Sequence, residues 1–434
     1  MRSFKQVFFN TSLVVLSVMA AALFCELVLR MTGFATPGNF NIPRTGLYPR
    51  FYFEGDLING YDISKNFTGD SFSLPDYIHT YGAPFTVTSN SVGCRDRSFD
   101  QEDGYVLLIG DSATWGYVEL EQTWGATLEQ LIGVRVLKCG VSGYGPRQER
   151  HKLETVVRRA GRPRFVIVGY VMNDLLDDYL FPARTVMDGY MVNKVVLASV
   201  MRGGRRVRSD EELRARLKRF LEPNTIDIID RAKVWLTAHS TLYDLLSKAE
   251  VPLRRVVTDL GLTKPPPPLS EVEAYRSITE FPWLKHAWEG HLDNLRQLNS
   301  AVEAVGATML VVIFPDNSQV YESMRPRERN LQWEYPNQRL AEFFQQEHIA
   351  FIDLLPEFRR YADCAGSSRA NPQDLYWAHD PHLNAAGNHL AGLLITRRVL
   401  EGSFVEVDDK RTRLSTVNQS LNAERGCEFS GSSP

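Results

Sequence analysis

The chain has 434 residues, of which 49 are basic and 52 acidic, so its formal net charge is −3, and 44% of its residues are hydrophobic. This is an ordinary globular composition, long enough for one large domain or for a domain with an insertion. It excludes a chain that is disordered throughout. It also argues against a nucleic-acid-binding protein, which needs a basic excess to neutralise phosphates.

The amino terminus has the pattern of a membrane anchor. No charged residue occurs from Val7 to Cys25, and these 19 residues just span a hydrocarbon core as a helix. Arg2 and Lys5 precede the run, which keeps the terminus cytoplasmic and sends the remaining chain across. We predict a single-pass anchor at residues 1–31, with the rest of the chain on the non-cytoplasmic side, periplasmic or extracellular. A cleaved signal peptide and a helix buried in the protein are the alternatives.

Three further regions follow the anchor. Residues 32–104 are rich in Gly, Pro, Asn and Asp, which predicts a lead-in of loops and short strands. Residues 105–403 alternate apolar runs with helical patterns and form the expected main domain. Residues 404–434 are polar, and we expect a disordered tail.

The five cysteines are too scattered for a zinc site, because none of them forms a C-x-x-C pair. We therefore expect no metal site. If the domain lies outside the cytoplasm, one disulfide is compatible with the sequence, joining Cys94 or Cys139 to Cys364.

Within residues 105–403, five short apolar runs predict the strands of a parallel sheet covered by helices on both faces. These runs are Tyr105–Ile109, Val134–Lys138, Phe165–Gly169, Met309–Phe314 and Ala350–Ile352.

A long insertion, about residues 180–281, interrupts the pattern between the third and fourth strands. It contains a basic stretch at 202–219, a helical pattern at Arg231–Lys248 and four prolines at 265–268 that indicate an extended linker. The basic stretch is interpreted either as a contact with anionic lipid headgroups or an acidic polymer, or as the solvated face of a surface helix with mixed charge.

A serine follows the first predicted strand directly, in the segment Gly110–Gly116. Ser112 therefore lies at the carboxyl end of a strand, where open α/β sheets place their sites. The alternative is that Asp111 and Ser112 only cap a helix.

The next two strands end in segments that can add hydrogen-bond donors to the same edge of the sheet. The second leads into Cys139–Pro146, whose glycines, Gly143 among them, allow a backbone N–H to approach a ligand. The third leads to Asn173, which places a side-chain amide there. Each signal is weak alone, because glycine turns and strand-ending asparagines are common.

Near the end of the chain, the segment Tyr376–Gly387 carries an acid and a histidine two residues apart. Pro381 biases Asp380 toward extended geometry, so Asp380 and His382 project to the same side. Asn384 is the expected N-cap of the following helix, which would hold the loop in place. Together with the serine, this pair completes a Ser-His-Asp set.

In order and spacing, these four segments resemble the motifs of the SGNH (GDSL-type) hydrolases. Because one residue separates Asp380 from His382, the sub-pattern is similar to membrane-anchored bacterial members and alginate O-acetylation proteins. The resemblance covers about residues 85–180 and 285–400. Two positions depart from it, Ala113 in place of leucine and Val171 in place of a glycine two residues before Asn173.

The resemblance implies a three-layer flavodoxin-like α/β fold with five parallel strands in the order 2-1-3-4-5. It also implies that Ser112 is the nucleophile, His382 the base and Asp380 its orienting carboxylate. The oxyanion hole would comprise the Ser112 N–H, the Gly143 N–H and the Asn173 side chain. His379 is expected to be structural or to lie on the rim, since the triad needs one histidine.

The function that the resemblance implies is a serine esterase that removes O-acyl, in particular O-acetyl, groups from envelope or extracellular carbohydrate without a metal or cofactor. One alternative is an O-acyltransferase with the same triad. Another is a non-catalytic carbohydrate-binding or assembly factor, which the presence of Ser112, Asp380 and His382 disfavours.

Overall fold

The computed structural model describes residues 2–32, 47–49, 52–70, 85–100, 104–181, 184–187, 190–193, 209, 211–212, 214–215, 240–243, 245–246, 271–325, 331–364, 374–377 and 381–423. The chain divides into two units. The first comprises residues 1–44 and 207–268, and the second comprises residues 45–206 and 269–434.

The described residues contain the following strands: β1 Leu47–Pro49, β2 Phe53–Asp56, β3 Gly60–Ile63, β4 Thr68–Asp70, β5 Thr86–Thr88, β6 Val106–Gly110, β7 Val136–Lys138, β8 Phe165–Tyr170, β9 Arg184–Met187, β10 Tyr190–Asn193, β11 Thr308–Ile313 and β12 Ala350–Asp353. They also contain these α-helices: α1 Arg2–Met31, α2 Ser112–Trp115, α3 Trp124–Ile132, α4 Pro146–Ala160, α5 Asp174–Tyr179, α6 Pro282–Ala304, α7 Asn317–Val320, α8 Tyr335–Gln346, α9 Leu355–Cys364, α10 Ala385–Glu401 and α11 Lys410–Ala423.

The centre of the second unit is a five-stranded sheet in the order β12-β11-β8-β6-β7, and every pair in it is parallel. Numbered along the chain, this order is 2-1-3-4-5, as predicted. The five apolar runs of the sequence therefore correspond to the five strands, with small shifts at their ends.

Both faces of the sheet are buried. Alternate residues of a strand point to opposite faces, so one strand can contribute to two hydrophobic clusters. In β6, Val106 and Leu108 join one hydrophobic cluster, which also receives residues of α3 and α10. Leu107 and Ile109 join a second cluster, which also receives residues of α4 and α6. Such two-sided burial explains why the strands are continuous apolar runs in the sequence.

The other strands come from residues flanking this core. Strands β2 and β3 form an antiparallel hairpin, β4 pairs with β5, and β10 lies between β1 and β9 in a three-stranded sheet. The hairpin packs on β9, where the Thr185 hydroxyl donates to the Gly60 carbonyl over 2.8 Å.

The disulfide joins Cys94 to Cys139, so its predicted pairing with Cys364 is wrong. The backbone N–H of Lys138 donates to the Asp96 carboxylate over 3.1 Å, which holds the segment after Cys94 alongside the end of β7. The Cα atoms of the two cysteines are consequently 4.3 Å apart. Sequence spacing carried no sign of this proximity.

The tail is not disordered over residues 410–423, which form helix α11. Val417 and Leu421 are buried in the first hydrophobic cluster, and the Arg413 guanidinium donates to the Leu131 carbonyl over 2.7 Å. The helical spacing of these two apolar residues was the signal that the polar composition hid. Residues 424–434 lie outside the described residues.

In the first unit, residues Phe9–Met31 of α1 are long and apolar enough to cross a membrane, and none of that segment is buried within the protein. This exposure does not fit the alternative of a buried helix. Most of the predicted insertion, including its four prolines and nearly all of its basic stretch, lies outside the described residues.

Candidate active site

The turn at Ser112 depends on two glycines that lie side by side on neighbouring strands. Strand β6 ends at Gly110, whose φ of +144° favours glycine, and Gly110 pairs with Gly169 of β8. A Cβ on either glycine would collide with the Thr114 hydroxyl. The chain can therefore turn tightly into α2, which places Ser112 at the carboxyl end of a central strand with only 8% of its surface exposed.

The two neighbouring strands deliver Gly143 and Asn173 to the same edge. After β7, the Val141 N–H donates to the Gly110 carbonyl over 2.9 Å, which holds the glycine loop beside β6. Gly143 then takes a φ of +81°. Asn173 precedes α5 at the end of β8.

Asp111 is the point where these residues meet. The Gly143 N–H and the Asn173 side-chain amide both donate to its carboxylate, and the Ser112 hydroxyl lies 3.4 Å from the same group. The structure thus brings together the three residues predicted for the oxyanion hole, and it adds a carboxylate that accepts hydrogen bonds from two of them. From the sequence, Asp111 was predicted only as a helix cap, although its position next to Ser112 was a usable signal.

Burial raises the pKa of Asp111 above its ordinary value. The hydrogen bonds from Asn173 and Gly143 act in the opposite direction, as do the charges of Arg184 and His382, but they only reduce the shift. Proton uptake by this carboxyl is therefore easier than by an exposed aspartate.

Other buried acids surround it. Burial and the negative charge of their neighbours raise the pKa values of Glu149 and Asp174 well above normal. Both residues are fully buried. Within the described part of the chain, neither carboxylate oxygen of Glu149 has a hydrogen-bond partner.

His382 lies at this edge, next to an isolated antiparallel bridge. Tyr376 bridges to Leu383, and the Trp377 N–H donates to the His382 carbonyl over 3.1 Å. The His382 ring lies against Tyr117, with centroids 4.1 Å apart and an angle of 36° between the planes. Its charge is close enough to affect the pKa values of Asp111 and Asp316.

The segment that carries His382 is fixed to the helix that follows it. The Asn384 side chain accepts a hydrogen bond from the Gly387 N–H over 3.0 Å, which confirms Asn384 as the N-cap of α10. Asp380 and His379 lie outside the described residues, so the orienting role of Asp380 and the rim position of His379 stay predictions.

Tyr117 connects the histidine to the glycine loop. Its hydroxyl is 2.8 Å from the Ser142 hydroxyl, and its carbonyl accepts a hydrogen bond from the Trp377 indole over 3.2 Å. His382 and the loop that carries Gly143 therefore both contact the side chain of Tyr117.

Two further residues near Gly143 come from segments that were not predicted to belong to the site. The Tyr61 hydroxyl, on β3, donates to the Ser142 carbonyl over 2.7 Å. The Arg184 guanidinium, on β9, lies beside Gly143 and forms a 3.8 Å ion pair with Asp177. No motif marks either residue, because their proximity depends on the packing of distant segments.

The loop after Ser112 is held by a buried cation. Arg95 is 2% exposed and donates to the carbonyls of Trp115, Gly116 and Val118. Its guanidinium lies over the rings of Trp115 and Phe85. Burial lowers the pKa of Arg95 to about 10, so it remains charged at neutral pH.

Among the residues that the structure describes, no group of three or more His, Cys, Asp or Glu side chains could hold a metal ion. The described residues near Ser112 include an imidazole and hydrogen-bond donors, which are groups that can serve a serine nucleophile.

No protein-family model and no curated protein sequence matches the chain. Among solved structures it is similar to a putative lipolytic protein of the G-D-S-L family from Desulfitobacterium hafniense DCB-2, with 12% identity over 68% of this chain and 98% of that one and a TM-score of 0.32. An acetylxylan esterase from Geobacillus stearothermophilus has 14% identity over 71% of this chain and 96% of that one, with a TM-score of 0.34. A Bacillus subtilis protein has 12% identity over 74% and 63%, with a TM-score of 0.36. Values this low do not establish a common family, so the function must be inferred from the chain's own residues.

Proposed function

We propose that the chain is a serine esterase of the SGNH type. The observation that carries this proposal is the convergence of Ser112, Gly143 and Asn173 around one point at the carboxyl edge of β6, β7 and β8, with His382 close to it. The order of the four sequence motifs supports it.

In the proposed reaction, the Ser112 hydroxyl attacks the ester carbonyl while His382 accepts its proton. The negative charge that forms on the carbonyl oxygen is stabilised by the Ser112 N–H, the Gly143 N–H and the Asn173 amide. The C–O bond to the alcohol then breaks, and the alcohol leaves with the proton from His382. Water, deprotonated by the same histidine, cleaves the acyl-enzyme, and Asp380 orients the imidazole.

Asp111 has to give up its donors during this reaction. The Gly143 N–H has one hydrogen, so an ester oxygen can use it only when the Asp111 carboxylate does not. A neutral carboxyl is a weaker acceptor than a carboxylate. When the substrate oxygen replaces Asp111 as acceptor, Asp111 loses the two hydrogen bonds that lower its pKa, so the exchange favours proton uptake by this carboxyl.

We place the catalytic domain outside the cytoplasm, tethered by α1. The apolar segment Phe9–Met31 and the basic residues before it support this placement. The Cys94–Cys139 disulfide adds support, because disulfides are rare in reducing compartments. An O-acetyl ester on envelope or extracellular carbohydrate is the substrate that the motif resemblance favours.

The experiment that tests the proposal is labelling of the full chain with a serine-directed fluorophosphonate, followed by identification of the modified residue. Ser112 should be labelled, and Ser112→Ala should abolish both labelling and hydrolysis of an activated acetyl ester. Ser300→Ala is the matched control, since Ser300 is an exposed serine of α6. An unlabelled Ser112 in a folded protein would favour the non-catalytic alternative.

A second assay separates hydrolysis from transfer. Acetylated glycans are incubated with the protein in the presence of a free glycan acceptor, and both acetate and acetylated acceptor are measured. Acetate alone supports the esterase, whereas acylated acceptor identifies an O-acyltransferase that uses the same residues.

A further inference from the structure

The apolar helix α1 carries a carboxylate that binds a distant part of the chain. Glu26 accepts hydrogen bonds from the Ser240 hydroxyl, the Thr241 N–H and the Leu242 N–H, over 2.9, 3.0 and 2.8 Å. It also pairs with Arg30, one turn further along α1, over 2.7 Å. Residues 240–246 belong to the insertion and, like α1, to the first unit.

The sequence fixes the depth of Glu26 in a membrane that α1 crosses. Glu26 immediately follows the uncharged run Val7–Cys25, and it precedes the end of the apolar segment at Met31 by five residues. At a rise of 1.5 Å per residue, five residues span about 7.5 Å. Whether the hydrocarbon core ends at Cys25 or at Met31, the carboxylate lies within about 7.5 Å of the level where hydrocarbon meets headgroups.

A carboxylate at that level is costly unless it has partners. Arg30 supplies a charge, and residues 240–242 supply three hydrogen-bond donors. Because the donor–acceptor distances are about 3 Å, the start of the segment 240–246 must lie at the same depth as Glu26.

We propose that residues 240–246 bind the lipid bilayer at its interface, beside the non-cytoplasmic end of α1. Residues 241–243 and 245–246 are helical, and Leu246 is 60% exposed in the protein, so its side chain is available to lipid. The apolar residues that precede this segment, Val234, Trp235 and Leu236, are of the type that interfacial helices use. The insertion is then a second membrane contact. This inference depends on α1 as an anchor and not on the chemistry at Ser112.

The test uses the full chain in lipid nanodiscs, with Cys25, Cys364 and Cys427 changed to serine and the disulfide kept. Leu246→Cys is labelled with an environment-sensitive fluorophore. Leu57→Cys is the reference, because Leu57 is 100% exposed. We expect a blue-shifted emission for the label at 246, with loss of fluorescence when the lipids carry nitroxides at the top of their acyl chains. Quenching by aqueous iodide as strong at 246 as at 57 would overturn the inference.

Two substitutions at Glu26 then test the contact itself. Glu26→Gln keeps an oxygen that accepts hydrogen bonds, whereas Glu26→Ala removes it, and neither weakens the apolar character of α1. We expect the alanine variant to lose the lipid quenching at 246 and the glutamine variant to retain most of it. Unchanged quenching in both variants would refute the role of Glu26. Ester hydrolysis is not read in either arm, so an error in the proposed function leaves this test intact.

Discussion

Tyr117 should contribute in two separable ways, to stability through its hydroxyl and to activity through its ring. Tyr117→Phe removes the 2.8 Å hydrogen bond to Ser142 and keeps the ring against His382. A neutral, partly buried hydrogen bond contributes about 0.5–1.5 kcal/mol to stability. Since both hydroxyls belong to one pair, Ser142→Ala should cost a similar amount, and the double variant should show a coupling energy of about 1 kcal/mol.

Tyr117→Leu removes the ring as well. An aromatic pair of this geometry contributes about 0.5–1.5 kcal/mol beyond the burial of its area. If this energy holds the imidazole in its reactive orientation, kcat should fall by about two- to thirteenfold relative to Tyr117→Phe. Steady-state hydrolysis of an activated acetyl ester gives kcat, and urea unfolding gives the stability of each variant.

The two measurements distinguish positioning from simple structural support. A positioning role lowers kcat more than it raises KM, whereas loss of structure lowers the amount of active protein without changing kcat per folded molecule. Equal kcat values for the phenylalanine and leucine variants would refute the idea that the ring orients His382.

Three further predictions concern the catalytic pair, the buried acids and the disulfide. Ser112→Ala and His382→Ala should each reduce kcat by several orders of magnitude, because triad members act as a unit. Both variants should give the circular dichroism spectrum of the folded protein. A mild effect at His382 would contradict its role as base. Glu149→Gln should become increasingly stabilising as pH rises above the ordinary pKa of glutamate, because the folded protein keeps the proton of the Glu149 carboxyl and the unfolded chain releases it. The gain should reach up to about 1.4 kcal/mol per pH unit until the raised pKa is passed. If the difference in unfolding free energy between the two proteins, measured with urea, does not change with pH, burial does not raise this pKa. Replacing Cys94 and Cys139 together by serine should lower the free energy of unfolding by about 4 kcal/mol, because the disulfide closes a loop across a sequence separation of 45 residues in the unfolded chain. An unchanged urea midpoint would mean that the disulfide does not constrain the unfolded chain.

The sheet could be predicted from the sequence because its strands are buried on both faces, which forces them to be continuous apolar runs such as Val106–Ile109 and Val166–Val168. The strand ends then located Ser112, Gly143 and Asn173, since parallel strands bring their carboxyl ends to one edge. The N-cap role of Asn384 was predictable for a local reason, as its partner Gly387 is three residues away.

Contacts between distant segments were not predictable in this way. Arg184 and Tyr61 reach Gly143 only because the hairpin of β2 and β3 packs on β9. The disulfide depends on the position of residues 94–96 beside β7. The role of Asp111 as common acceptor depends on two loops closing on the same side chain, and no pattern in one segment encodes that.

Arg95 determines the backbone path of the loop at residues 115–118 through hydrogen bonds to main-chain carbonyls. Three backbone carbonyls of the loop are held by a guanidinium that lies about twenty residues earlier in the chain. The path of this backbone is thus specified from outside, much as a bound ligand imposes a conformation on its receptor. Lysine could not substitute, because a single ammonium lacks the planar fork that addresses several carbonyls at once. As a result, a substitution at Arg95 would change the backbone course of the segment that follows Ser112 without altering any side chain of that segment.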